Sequence, residues 1–483
     1  MSPPRPFCFD RPFAAPSRAR ISARLPGLPG IDGPRLFPRV TDPAHPDVAH
    51  AFDGEGRTVS AEDRQTLPDD ISPNEFAAVL SALRSIPRSD QRRWGEVYVR
   101  GLLAVRGKKT MRALAGGAGS GAEQSLYQFI SKSPWDVDPV RGDLARLLVE
   151  RAQPRAWVVQ PLVITKVGRH TVGVERQWVS HIGRVVNCQQ AMSVWLAGDR
   201  GSCPVEWQLA LPECWTDQED LRRRACIPTD VGPCPPEQCA LDSLSKMARE
   251  WALSGRPVVM DLRQTSPQPV CAQLTARRLP FVVRVDPSSI TPVPPGPKTA
   301  PGTPAPIPRP GPAQGPHRAG GWVGPAGLLS ALHRQRMPVE WFDPAQQTMR
   351  ATSVGAARIA LRKDPTAHRQ PERLDLVLLA AWTDPSRRSP SEFWLSNLAQ
   401  AQLGTVYRTA MLSRRVERDL AEVSDAVGIR DFEGRSYRGW HHHMTMVSLA
   451  HAATVLSPAR AQGPPAPAGR LAPAPSPATK VSA

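Results

Sequence analysis

Hydrophobic residues follow two periods along this chain, and the change between them falls near residue 154. Between residues 91 and 106, Trp94, Val97, Tyr98, Leu102 and Val105 recur at the spacing of one helix face. Ser72-Pro73-Asn74-Glu75 ahead of Phe76 has the form of a helix start, with a hydroxyl for the cap and a proline in the first turn. Short helices are predicted over 110–115 and 123–131, on either side of a glycine-rich break at 116–121, and a further helix over 140–151. From 156 the period shortens. β-Branched runs at 156–164, 171–175 and 185–196, split by Lys166-Val167-Gly168-Arg169 and by 180–184, predict strands joined by turns. A strand over 205–211, a helix over 241–253, a strand over 257–261 ending in Asp261, a helix through 273–277 and a strand over 280–285 follow. Alternation of this kind builds an α/β sheet. Runs at 339–342, 357–362, 374–382 and 392–396 add short strands, and a helix is predicted over 404–427.

Three stretches lack either period. Residues 1–71 read as an irregular arm rich in Pro, Arg, Asp and Gly; residues 287–316 hold about a dozen prolines and cannot pack as strand or helix; residues 458–483 are low-complexity. They divide the chain into a helical segment at 72–153, the first part of an α/β domain at 154–285, an insertion at 286–400 and closing helices at 401–457.

The net charge is +17 and the pI near 10.2, which favours a polyanionic partner through counterion release. Only eight of the 61 basic residues are lysines, so a GC-rich genome explains part of that excess. If the helices at 110–115 and 123–131 form a helix-turn-helix, Arg106, Lys108, Lys109 and Arg112 stand near phosphates, and Gln124, Tyr127 and Gln128 face bases. An ordinary helical hairpin accounts for the same pattern. The cluster Arg222, Arg223, Arg224 reads either as a DNA contact or as a solvated helix face. No apolar run approaches the ~20 residues that span a bilayer, and the Arg- and Pro-rich start has no apolar core of a secretory leader. A cytoplasmic protein is therefore expected. Five cysteines fall between Cys203 and Cys239 without the paired short spacing of zinc sites, so scattered thiols are expected, with Cys188 a small buried hydrophobe. The run at 116–121 lacks the lysine of a phosphate loop.

Several longer words carry a resemblance. GVERQW and NCQ with the Lys166–Gly168 turn, the Trp135-Asp136 pair, LPECWTDQEDLRRRACIP and GIRDFEGRSYRGWHHH together resemble DDE insertion-sequence transposases of the seven-oh-one branch. The resemblance implies an RNase H-like mixed sheet with flanking helices, a β-rich insertion and an N-terminal helical DNA-binding domain. It implies DNA as partner, in the form of terminal inverted repeats, a homo-oligomer, and Lys166 among the DNA-facing residues. It also implies Mg²⁺, because such enzymes cut by two-metal catalysis in which carboxylates hold ions that activate the attacking oxygen. Asp261 matches the second acid and Glu417 the third, but the first is Gln160. The tyrosine, arginine and lysine expected around the glutamate are Ala410, Ser413 and Ser424.

Three readings follow: a DNA-binding protein impaired in catalysis, an active transposase with a substitute acid such as Glu175, Asp136 or Asp138, and a domesticated regulator. His441, His442 and His443 invite a metal reading. Adjacent helical residues point about 100° apart, however, so the three read as a helix start.

Overall fold

The computed structural model describes residues 66–116, 121–179, 182–290, 292, 325–363 and 372–458. Five helices come first. Ser72 caps α1 (Pro73–Leu80) by accepting the Glu75 amide, and α2 (Ser89–Ala104) buries Tyr98, Val99 and Leu102 along its apolar face. Thr110 caps α3 (Met111–Leu114), Gly121 at φ +82° leads into α4 (Ala122–Ser131), and Asp136 caps α5 (Val137–Ala152).

The sheet begins with β1 (Ala156–Thr165). Two further strands, β2 (Glu175–Val179) and β3 (Arg184–Ala197), form a hairpin, and β4 (Ser202–Ala210) returns along β3. The segments α6 (Glu213–Asp217), α7 (Glu219–Ala225) and α8 (Pro236–Arg249) lead to β5 (Val258–Asp261), α9 (Pro267–Ala276) and β6 (Phe281–Val285). Then come α10 (Pro325–Arg334) and four strands, β7 (Met337–Asp343), β8 (Thr348–Arg362), β9 (Arg373–Trp382) and β10 (Glu392–Ser396). The described chain closes on α11 (Leu403–Ala410), α12 (Leu412–Asp419) and α13 (Tyr437–Leu456).

The strands make one ten-stranded mixed sheet in the order β2-β3-β1-β5-β6-β10-β9-β8-β7, with β4 on β3. β1, β3 and β4 are antiparallel, β5 and β6 run parallel to β1, and the insertion strands continue the sheet from β6 through β10. This is the expected RNase H-like α/β arrangement with flanking helices.

Two segments depart from the periodicity. The apolar run at 171–175 is mostly a turn: Val172 and Val174 are buried, Gly173 has φ +74°, and a Cβ there would stand 3.2 Å from the Leu209 side chain. The strand is the polar stretch that follows it, paired to β3. The helix expected over 404–427 is broken at Met411 and relaxes into a π-turn over Leu420–Ser424.

One face of the sheet carries α11 and α12, whose Val406, Tyr407, Met411, Leu412 and Val416 pack on Val158, Trp195, Val259 and Trp394. The other core holds α13, which packs on β4 and on α1, α2, α4 and α5, and is buried along nearly its whole length. A helix apolar or buried all round belongs inside a fold. Its three histidines diverge. His441 Nδ1 lies 3.2 Å from the Arg141 guanidinium; His442 stacks on Trp135 with centroids 3.8 Å apart; His443 links the Tyr98 hydroxyl and the Gly428 carbonyl, each at 3.0 Å.

Arg141 ties this core together. Its guanidinium donates to Thr445 Oγ1 (2.9 Å), the Trp207 carbonyl (3.1 Å) and Glu206 (3.2 Å), and Lys246 pairs with the other Glu206 oxygen at 2.7 Å. Removing one partner of such a buried pair strands a charge, at a cost of about 3–5 kcal/mol. Arg141→Met should therefore lower the urea midpoint sharply, and R141M/E206M should recover much of the loss. A single variant within experimental error of the native midpoint would show that the network contributes nothing.

Candidate active site

The register of the sheet assembles the site. β1 pairs in parallel with β5 through Trp157–Val258 and Val158–Val259, so two residues further on Gln160 comes level with Asp261. Side chains alternate along strands. Ala156, Val158 and Val259 face α11 and α12, and Gln160 and Asp261 share their parity. Glu417 follows Val416 on α12, which packs over this face. The three meet at a cleft of ≈ 460 Å³, whose lining also includes Arg263, Arg284 and Arg430.

Arginines hold the acids. Arg263 grips Asp261 as a fork, with Nε 3.0 and 2.9 Å and a terminal nitrogen 2.6 Å from the carboxylate oxygens, and its backbone N–H donates to Oδ1 at 3.0 Å. That hydrogen bonding pushes the Arg263 guanidinium pKa upward. Burial raises the Glu417 carboxyl above its ordinary value, against the pull of Arg414 and Arg284. Those two arginines share Glu392 Oε1, at 2.8 and 2.9 Å, while Oε2 of this buried carboxylate has no hydrogen-bond partner among the described residues. Arg430 pairs with Asp425 and donates to the Val163 carbonyl at 2.7 Å. Gln160 offers its amide, and its main-chain carbonyl accepts the Ser193 hydroxyl at 2.7 Å.

Mg²⁺ needs hard oxygen donors, and a pair of dications needs carboxylate charge to offset their repulsion. Two acids, one of them forked by an arginine, do not fit that requirement. Among the described residues no group of three Asp, Glu, His or Cys side chains is placed to hold a metal ion. The suggested substitutes stand elsewhere. Glu175 is level with Thr165, five residues along β1 from Gln160 or ~16 Å, Asp136 caps α5, and Asp138 pairs with Lys246 at 2.8 Å.

Ala410, Ser413 and Ser424, at the positions where the resemblance leads one to expect tyrosine, arginine and lysine, have separate fates. Ala410 is buried in the α11–α12 core and Ser413 lines the cleft. Ser424 is fully buried, its hydroxyl 2.8 Å from His451 Nδ1.

None of the basic residues proposed to face DNA lines the cleft. Lys166 donates to the Arg430 (3.1 Å) and Phe432 (2.7 Å) carbonyls. Lys109 is buried against the Val105 carbonyl, and Arg222 braces the Thr216, Pro228 and Val231 carbonyls. Lys108 pairs with Glu433, and Arg223 with Asp220, at the surface. Arg106, Arg112 and Arg224 are exposed and have no side-chain partner among the described residues. Gln124, Tyr127 and Gln128 do share an exposed face of α4.

Periodicity did not point to Arg263, Arg284, Arg430 or Glu392. The signals it passed over are an arginine two residues beyond Asp261 and an acid opening the apolar run Phe393-Trp394-Leu395.

This RNase H-like sheet brings Gln160, Asp261 and Glu417 to one cleft. A family profile described as DDE superfamily endonuclease matches residues 81–348 of the 483. The chain belongs to this family, whose functions are of the transposase and nuclease type. The matched region takes in Gln160 and Asp261, and Glu417 lies beyond it. No curated protein matches the chain. Among the described residues no helix is long and apolar enough to cross a membrane.

Proposed function

We propose that this protein binds DNA as a transposase relative whose cleavage centre is impaired, its partner being the terminal inverted repeats of an insertion sequence. The observation that carries the reading is Gln160 level with Asp261, at the position where the family resemblance places the first acid. The Arg263 fork on Asp261 supports it, since a carboxylate spent on an arginine is less available to a cation. The +17 charge supports the DNA partner, and a homo-oligomer would let one complex hold both repeats.

Binding of labelled repeat duplexes across a salt series tests the reading. Affinity should fall steeply with salt, and R106A/R112A should reduce the log–log slope by about 2, one for each phosphate that the variant leaves unneutralised. Supercoiled plasmid carrying the repeats should stay intact in Mg²⁺ or Mn²⁺. Nicking that disappears with Asp261→Ala or Glu417→Ala would overturn the impaired assignment, and absence of binding at low salt would overturn the DNA partner.

A further inference from the structure

The cleft departs from a two-metal centre in composition more than in charge. Its lining sets Arg263, Arg284 and Arg430 against Asp261 and Glu417, so one positive charge is left over. Two dications against three carboxylates, the balance of a two-metal centre, leave the same excess. Arg263 sits among the acids: its hydrogen bond to Asp261, and then the charges of Asp261, Glu392 and Glu417, raise its pKa. Arg284 is level with Asp261 on β5 and with Trp394 on β10, and its guanidinium lies 5.8 Å from the centroid of the Trp394 ring. Val282, two residues earlier, belongs to the core under α11 and α12, so Arg284 shares the face of Asp261. Arg430 is fixed from β1 by the Val163 carbonyl, three residues or ~10 Å beyond Gln160. Each keeps donors unspent: Arg263 Nη1, Arg284 Nε and Nη1, and Arg430 Nη2 have no hydrogen-bond partner among the described residues.

We propose that the cleft holds a backbone phosphate of DNA between Arg263 and Arg284 without any divalent metal, and that Arg430 takes the next phosphate along the strand. The inference rests on the DNA-binding reading above and adds the place of the strand and its independence of metal. A guanidinium presents a planar fork of donors that matches phosphate oxygens, and its hydrogen bonds to them are charge-assisted. Asp261, Glu392 and Asp425 hold the three arginines in position before any ligand arrives, which lowers the ordering cost of binding. The acids alone would repel a phosphate; with the arginines among them the cleft attracts one. A guanidinium neutralises a phosphate but generates no hydroxide from water, so such a cleft grips DNA without cutting it.

Fluorescence anisotropy of the full chain with a labelled repeat duplex tests this in EDTA and in Mg²⁺ at matched ionic strength. Native affinity should be the same in both. Arg263→Ala and Arg430→Ala should each lose about tenfold in EDTA, and Asp261→Asn, which frees Arg263, should gain roughly two- to fivefold. Duplexes in which a single phosphate is made neutral as a methylphosphonate, moved stepwise along the strand, locate the contact. At one position the native chain should lose about tenfold and R263A nothing more. Both arginine side chains are about half exposed, so their loss should leave the fold intact, and matched melting temperatures check this. Affinity that appears only with Mg²⁺, a weaker Asp261→Asn complex, or losses that add at every position overturn the proposal. DNA bound equally by the native chain, R263A and R430A refutes the cleft site and leaves the DNA-binding reading standing, whereas no binding of any duplex at low salt refutes both.

Discussion

Replacing Gln160 by aspartate and Arg263 by alanine in one chain should create a Mn²⁺ site, visible as a rise in melting temperature on adding the metal, while the native chain's melting temperature stays where it is. The double change puts a third carboxylate level with Asp261 and removes the guanidinium that occupies it. Three clustered carboxylates repel one another and raise one another's pKa, so the variant should be less stable than the native protein in EDTA. A cation present at a hundred times its Kd then stabilises the folded state by about 2.7 kcal/mol. Gln160→Asp alone should respond more weakly, because Arg263 would pair with the restored cluster. Direct calorimetric titration with Mn²⁺ checks binding apart from melting. If the native chain gains stability from Mn²⁺, and loses that gain in Asp261→Ala, two acids suffice and the reading of the cleft is wrong.

Acidification should unfold the protein over a window set by α13. Burial holds His442 and His443 down to about 4, against an ordinary value of 6.5, and burial with help from Arg141 holds His441 well below its ordinary value. Each His442 nitrogen faces a carbonyl, Ile130 at 2.8 Å and Trp135 at 2.9 Å, which favours a second proton, but burial outweighs it. Between pH 4 and 6.5 the unfolded chain binds protons at these histidines that the folded chain refuses. Their contribution is therefore fully present above about pH 6.5 and is lost as pH falls toward 4, by about 3 kcal/mol for each of His442 and His443. Asp419 and Glu417, both raised by burial, act in the opposite sense at the acid end of that window. The clearest loss should thus appear just below pH 6.5. Urea midpoints measured from pH 7.5 to 5 check this, and a His443→Gln variant should flatten the curve. A midpoint independent of pH across that range would count against neutral buried histidines.

Much of the architecture was legible because strand periodicity and β-branched runs survive in it. β1, β3, β5, β6, β7, β9 and β10 lie close to their predicted positions, whereas β8 begins at Thr348, nine residues before the expected run, and the acid that ends β5 faces the cleft with Gln160 and Glu417. What escaped depended on contacts distant in sequence. The apolar Val172 and Val174 signal burial, but only the packing of Leu209 beneath Gly173 makes that burial a turn. The π-turn over Leu420–Ser424 belongs to a stretch in which Ser424 reaches His451 rather than solvent, and no local pattern encodes that partner. Basic residues were hardest to place. Lys109, Lys166 and Arg222 spend their donors on main-chain carbonyls, whereas Arg263 and Arg284 hold acids; composition treats all five alike.

The burial of α13 also bears on how the chain acquires its shape. The Tyr98–His443 bond joins residues 345 apart in sequence, and the Ser72 amide donates to the Ser457 hydroxyl across 385. Contacts this remote slow folding, since their loop entropy is spent before they form. On the ribosome, α1 to α5 must wait with an uncovered apolar face until the last long helix emerges. During that interval the nascent chain is most exposed to aggregation and proteolysis.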